Sequence, residues 1–143
     1  MSTQLRERLP MTAEELAGPG VPEKFVELIE GELVEMVVRG WRCSEIAFSV
    51  AMIFHGFCKN RPDLDFASAN TGVHIRKSPD TVLAPDASLF YSRPHKSEMW
   101  IEFAPEVVVE VCSPNNSRAE TLLRRRLYFD AGTQQFWGRQ STR

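Results

Sequence analysis

The chain has 143 residues, 43% of them hydrophobic and 25% charged, a balance that excludes a disordered or fibrous protein. That length builds one domain with a real core, spanning residues 1–143, and is too short for two. A formal net charge of −2 shows no global basicity, although a local basic patch can still bind phosphates on such a protein.

The opening stretch, MSTQLRERLPMTAEEL, holds no apolar run of signal-peptide or membrane-spanning length, so a cytoplasmic protein with no membrane partner is expected. Residues 1–10 read as a flexible lead. Met11–Leu16 then predicts a short helix, capped by Thr12 with Glu15 three residues on and stopped by Gly18-Pro19-Gly20. Two extended stretches follow, Phe25–Ile29 and Glu32–Val38, and Glu30-Gly31 between them suits a tight hairpin turn. From Cys43 to Phe57 the apolar residues fall at 43, 46, 47, 50, 53, 54 and 57, the spacing of an amphipathic helix packed on a sheet.

Lys59-Asn60-Arg61-Pro62 ends that helix. Strands are predicted at Leu64–Ala69, Gly72–Arg76 and Val82–Tyr91, the last interrupted by Pro85, while Met99–Ala104 has no definite type. The run EVVVEVC, Glu106–Cys112, reads as a fully buried central strand. Ser113–Ser117 caps a helix from Arg118 to Ala131 that Gly132 ends, and a short strand starts at Gln135. The alternation of sheet and helix makes this an α/β protein, with a mixed β-sheet flanked by helices.

Cys43, Cys58 and Cys112 are odd in number and form no C-x-x-C pair, so they read as small buried side chains in a reducing compartment. His55, His74 and His95 lack metal-ligand spacing, and His55 reads as a packed core residue. No G-x-S-x-G elbow and no Gly-rich phosphate loop is present.

Two acids stand out. Glu110 lies among Val107, Val108, Val109 and Val111, where a buried unpaired carboxylate would cost several kcal/mol. Alternation puts Val108, Glu110 and Cys112 on one face, opposite Val107, Val109 and Val111. Asp86 follows Pro85 at a bend where a strand opens. Read alone, Glu110 also fits a solvent-facing strand end, and Asp86 a plain turn residue. On neighbouring strands the pair would supply the hard oxygens that Mg²⁺ or Mn²⁺ prefers.

Pro-Asp followed by a glutamate in a valine-rich strand resembles the PD-(D/E)XK nuclease pattern. ELIEGELVEM (Glu27–Met36), RCSEIAFSVAMIF, DTVLAPDASLF (Asp80–Phe90), APEVVVEVCSP (Ala104–Pro114) and RLYFDAG (Arg126–Gly132) extend the likeness. Together they resemble the Uma-two family of putative restriction endonucleases over residues 11–137. The resemblance implies a restriction-endonuclease-like fold, DNA as partner and Mg or Mn as cofactor. It makes Asp86 and Glu110 the metal-binding acids. It also marks Glu27, Gly31 and Glu32, with Glu27 or Glu32 as a further acid.

The chain departs from the family pattern in three places. Cys112 stands two residues after Glu110, where PD-(D/E)XK enzymes carry lysine; the family moves that lysine four residues ahead of a tyrosine, here Tyr128, and the position holds Arg124. Arginine is always protonated and cannot act as a base, though it can neutralise a phosphorane. Arg124 is the member of Arg124-Arg125-Arg126 expected to face the site. Cys43 replaces a family histidine, and Asn115-Asn116 an aspartate at a helix cap. The tail, GRQSTR, is atypical and implies a shortened sheet whose open edge would favour a homodimer.

Two functions follow. One is a Mg²⁺-dependent DNA endonuclease using Asp86, Glu110 and Arg124. The other is a non-catalytic, truncated remnant of the nuclease fold that binds DNA or dimerises.

Overall fold

A computed structural model describes residues 9–21, 26–36, 38–94, 97–112 and 116–140. Helix α1 (Ala13–Leu16) begins with the expected capping box: the Glu15 N–H donates to Thr12 Oγ1 at 3.2 Å, and the Thr12 N–H to the Glu15 carboxylate at 2.8 Å. Its Ala13 and Leu16 pack on Leu28 and Val82. Strands β1 (Val26–Ile29) and β2 (Glu32–Glu35) form the predicted hairpin, with Ile29 opposite Glu32. Phe25 and Val37, placed in these strands from sequence, lie outside the described residues.

Both turn residues have positive φ, 50° at Glu30 and 81° at Gly31, which matches the right-handed twist of the strands. Gly31 is constrained twice. A Cβ there would stand 2.3 Å from Pro10 Cβ, because the Met11 N–H donates to the Gly31 carbonyl at 2.9 Å and draws the lead segment close.

Helix α2 (Trp41–Cys58) is longer than the periodicity indicates and presents a different face. Cys43, Ala47, Ala51 and Phe54 are buried, whereas Ile53 is 68% and Phe57 52% exposed. The small side chains at 43, 47 and 51 let the helix lie close to the sheet, so size rather than hydrophobicity selects the buried line. His55 is exposed on α2, its ring edge-on to Phe66, and is not the core residue expected. His95 lies outside the described residues.

The remaining strands are β3 (Leu64–Ser68), β4 (Val73–Arg76), β5 (Thr81–Leu83), β6 (Ala87–Tyr91), β7 (Val107–Cys112) and β8 (Gln135–Gln140). They complete an antiparallel sheet, ordered β2-β1-β5-β4, and a mixed sheet, ordered β3-β6-β7-β8, in which only β7 and β8 run parallel. The α/β architecture expected from sequence is thus divided between two sheets. The single strand predicted at Val82–Tyr91 is two, β5 and β6, one in each sheet. Pro85 has no N–H for a ladder, so the chain turns there and changes sheet. Of Met99–Ala104, Ile101 alone bridges to a strand, at Val73.

Strand β7 is central, as expected, and its alternation is visible in the packing. Val107 and Val109 meet Phe54 and Ala87, and Val111 meets Cys43 and Ala47, all toward α2. Val108 on the opposite face packs with Leu83, Leu127 and Tyr128, toward helix α3 (Arg118–Ala131). Helix α3 has the predicted bounds, capped by Ser117 with Glu120 and ended by Gly132 at φ 113°. Gly138–Gln140, read from sequence as a tail, continue β8 against Glu110–Cys112. No described helix is long and apolar enough to cross a membrane.

Two glycine substitutions separate the turn constraint from general flexibility. Gly31→Ala should cost about 1–3 kcal/mol in urea denaturation, since the turn needs positive φ and the space is filled. Gly56→Ala, inside α2 with no atom near its Cβ position, should stabilise by up to about 1 kcal/mol.

Candidate functional site

The turn from β5 to β6, Ala84-Pro85-Asp86, joins the two sheets and is held from both. On one side the Ala84 N–H donates to Glu27 Oε1 of β1 at 2.8 Å. On the other, the Asp86 N–H donates to the Val109 carbonyl at 3.0 Å, and the Val111 N–H donates to Asp86 Oδ2 at 2.6 Å. Glu27, Asp86 and Glu110 are therefore gathered at one junction, and each is at most 6% exposed.

Two arginines face these three acids. Arg124 on α3 reaches Glu27 through Nη1 at 2.5 Å and Nη2 at 2.6 Å, and Glu110 through Nε at 3.2 Å and Nη2 at 3.0 Å. Four of its five N–H donors are thereby committed to carboxylates. Tyr128, one turn further along α3 and fully buried, donates its hydroxyl to Glu110 Oε1 at 3.4 Å. Arg39, in the irregular segment before α2, donates from Nη1 to Asp86 Oδ1 and, at 3.2 Å, to the Val111 carbonyl.

The charges are strongly coupled. Burial, reinforced by the negative charges of Asp86 and Glu27, pushes the Glu110 carboxyl up to about 7, against the opposing pull of Arg124. Burial alone would lower Arg124, but its bonds to Glu27 and the charges of Glu110 and Glu27 hold it well above its ordinary value. Burial and the Glu110 charge likewise raise the Tyr128 phenol well above its usual range, so it is a proton donor at neutral pH. Arg39 is held above its ordinary value for the same reason as Arg124, with Asp86 as the main counter-charge.

Of the residues singled out from sequence, Asp86, Glu110, Glu27 and Arg124 come together here. Glu32 does not; it is exposed on β2, while Gly31 shapes the turn. Arg125 and Arg126 are exposed, and Cys43, at the family's histidine position, is buried against Val111. Arg39 was missed, and Tyr128, named only as the family's tyrosine, was given no part in the site. Tyr128 carried a signal, since it lies four residues after Arg124 on the same helical face. Arg39 carried none, because it belongs to no periodic element. Among the described residues, no group of three or more His, Cys, Asp or Glu side chains is arranged to hold a metal ion. Asp86 and Arg39 open onto a cleft of about 560 Å³ between the first half of α2 and the β3–β4 turn.

The Uma-two (Uma2) family model, described as a putative restriction endonuclease, matches residues 14–141. The chain belongs to this family. Nuclease activity is the function that Uma2 membership supports. A crystal structure of a putative nuclease from Anabaena variabilis ATCC 29413 superposes with a TM-score of 0.73 at 20% identity, covering 92% of this chain and 74% of that one. That likeness shows that the two share a fold, the restriction-endonuclease-like one. No curated protein matches the chain.

In this Uma2 chain the buried charges make two measurable demands. Arg124→Ala leaves Glu27 and Glu110 without their cation and should cost about 3–5 kcal/mol in urea denaturation, with Arg124→Lys costing less. In metal-free buffer, folded Glu110 keeps its proton between about pH 4.5 and 7, where the unfolded chain loses it. Stability should thus fall by a few kcal/mol as pH rises through that window and level off above it. Glu110→Gln should remove this contribution, so the variant gains on the native protein as pH rises.

Proposed function

We propose that the chain is a metal-dependent nuclease, one domain that hydrolyses DNA phosphodiester bonds, with Asp86 and Glu110 holding Mg²⁺ or Mn²⁺. The observation that carries this reading is the shared grip of Asp86 Oδ1 and the Val111 carbonyl on a single cationic nitrogen, beside buried Glu110. Carboxylate and carbonyl oxygens are the donors a small hard cation takes, and few protein ligands leave room for water and a phosphate oxygen. The donor set fits the ion. When bound, the ion would supply an acidified water and charge stabilisation at phosphorus.

The chain's own residues divide the remaining work. Val111 fixes Asp86 through Oδ2, which leaves Oδ1 to face the cation position. Arg124 is a positioning residue: it orients Glu110 and ties it to Glu27, and its permanent charge prevents it from serving as a base. Glu27 balances that charge and anchors the turn before Asp86. Tyr128 donates to Glu110 from beneath. Cys43 and Cys58 are in no disulfide, which suits the cytoplasm, where the DNA substrate would be met.

A second reading, a non-catalytic DNA-binding remnant of the fold, is favoured by the commitment of Arg124 to the two glutamates. Cleavage of plasmid, linear duplex and single-stranded DNA with Mg²⁺ or Mn²⁺ decides between them. The native chain should cut at least one, and Asp86→Asn should lower the rate by about a hundredfold or more. Cleavage appearing only in Arg124→Lys would favour the remnant reading. Intact DNA under every condition, in native and variant alike, would sink the nuclease proposal.

A further inference from the structure

Arg39 occupies an unusual position for a guanidinium. One nitrogen, Nη1, is shared by a carboxylate oxygen of Asp86 and the backbone carbonyl of Val111, and Asp86 and Glu110 both draw its charge inward. A cation among hard oxygens at a nearly buried acid is the environment described above for a metal ion, and two cations cannot take the same oxygens without strong repulsion.

The arginine also has somewhere to go. Its side chain is 23% exposed, whereas that of Asp86 is 8% exposed. It lines the cleft of about 560 Å³ together with Met36, Val38, Ser44, Phe48 and Asn70. Asp86 is the sole acid among the described lining residues, so a guanidinium released from it finds no second carboxylate among them. An anion brought by a ligand would satisfy it, and the planar fork of arginine matches a phosphate diester.

We propose that Arg39 is a displaceable placeholder. It neutralises Asp86 while no divalent ion is bound. When an ion takes Asp86 Oδ1 and the Val111 carbonyl, Arg39 turns into the cleft and pairs with a phosphate of the DNA strand. This deepens the metal-dependent reading and rests on it. Arg39 thus couples the two ligands, since DNA phosphate stabilises the displaced arginine and so favours the metal-bound state.

Calorimetric titration with Mn²⁺, without DNA, tests the placeholder directly. Arg39→Gln should bind Mn²⁺ about tenfold more tightly than the native chain, the equivalent of one charge-assisted hydrogen bond no longer displaced. With Ca²⁺ in place of Mn²⁺ to prevent cutting, the same variant should bind short DNA oligonucleotides about tenfold more weakly, with a shallower salt dependence. On native protein, the Arg39 side-chain N–H resonances should exchange with solvent slowest when no ligand is present, faster with Mg²⁺ alone, and more slowly again when Ca²⁺ and oligonucleotide are both bound. That measurement needs no variant to fold.

Equal or weaker Mn²⁺ binding by Arg39→Gln, or Arg39 resonances unmoved by Mg²⁺, would overturn the placeholder and leave the nuclease reading standing. Absence of Mn²⁺ uptake by both native chain and variant would overturn both. Tighter binding by Arg39→Gln with no loss of oligonucleotide affinity would overturn the phosphate contact.

Discussion

Three carboxylates buried at the junction of two sheets set the terms for the rest of this structure. An isolated buried carboxylate costs several kcal/mol, so three together are sustained by two arginines and by the proton that Glu110 holds up to about pH 7. Arg124 answers for Glu27 and Glu110, which lie in different sheets, and so acts as a cross-brace between them. Its contact with Glu27 spans 97 positions of sequence, from β1 to α3. The planar guanidinium suits this task because it can grip one glutamate with two nitrogens and still reach a second; an ammonium group presents a single point of charge.

On the metal-dependent reading proposed above, the same arrangement keeps the acids ready for a cation without the sheets springing apart. Backbone amides fix one oxygen of Asp86 and one of Glu27, and α3 fixes one of Glu110. What remains is the Arg39 side, where the counter-ion arrives from an irregular segment and sits beside open space. Fixed neutralisation lies on the α3 side, and the neutralisation proposed to be exchangeable lies on the cleft side. A site that must admit a cation without losing its fold needs both.

Much of the fold was legible. The bounds of α3 follow from Ser117, Glu120 and Gly132, and β7 from its valine run, because caps and continuous apolar strands are local signals. The pairing of Asp86, Glu110 and Arg124 was legible through family resemblance joined to strand alternation. Arg39 and three further features were not. Pro85 announces a break, but nothing local says that the next strand joins another sheet. In α2 the hydrophobic count favours Ile53 and Phe57, while close approach to the sheet selects Ala47 and Ala51 instead. Glu27 and Glu32 are equivalent on paper; the choice between them was made by a partner on α3, far away in sequence.

That distance has a consequence for how the protein comes into being. The acids and their brace are contributed by β1, the turn at Asp86, β7 and α3 in that order along the chain, so a ribosome-bound fragment lacking α3 can pair Asp86 with Arg39 but holds Glu27 and Glu110 without their cation. Such a fragment has reason to stay open until the last helix emerges. The assembled centre therefore waits on α3, and copies that still lack this helix hold Glu27 and Glu110 unbraced.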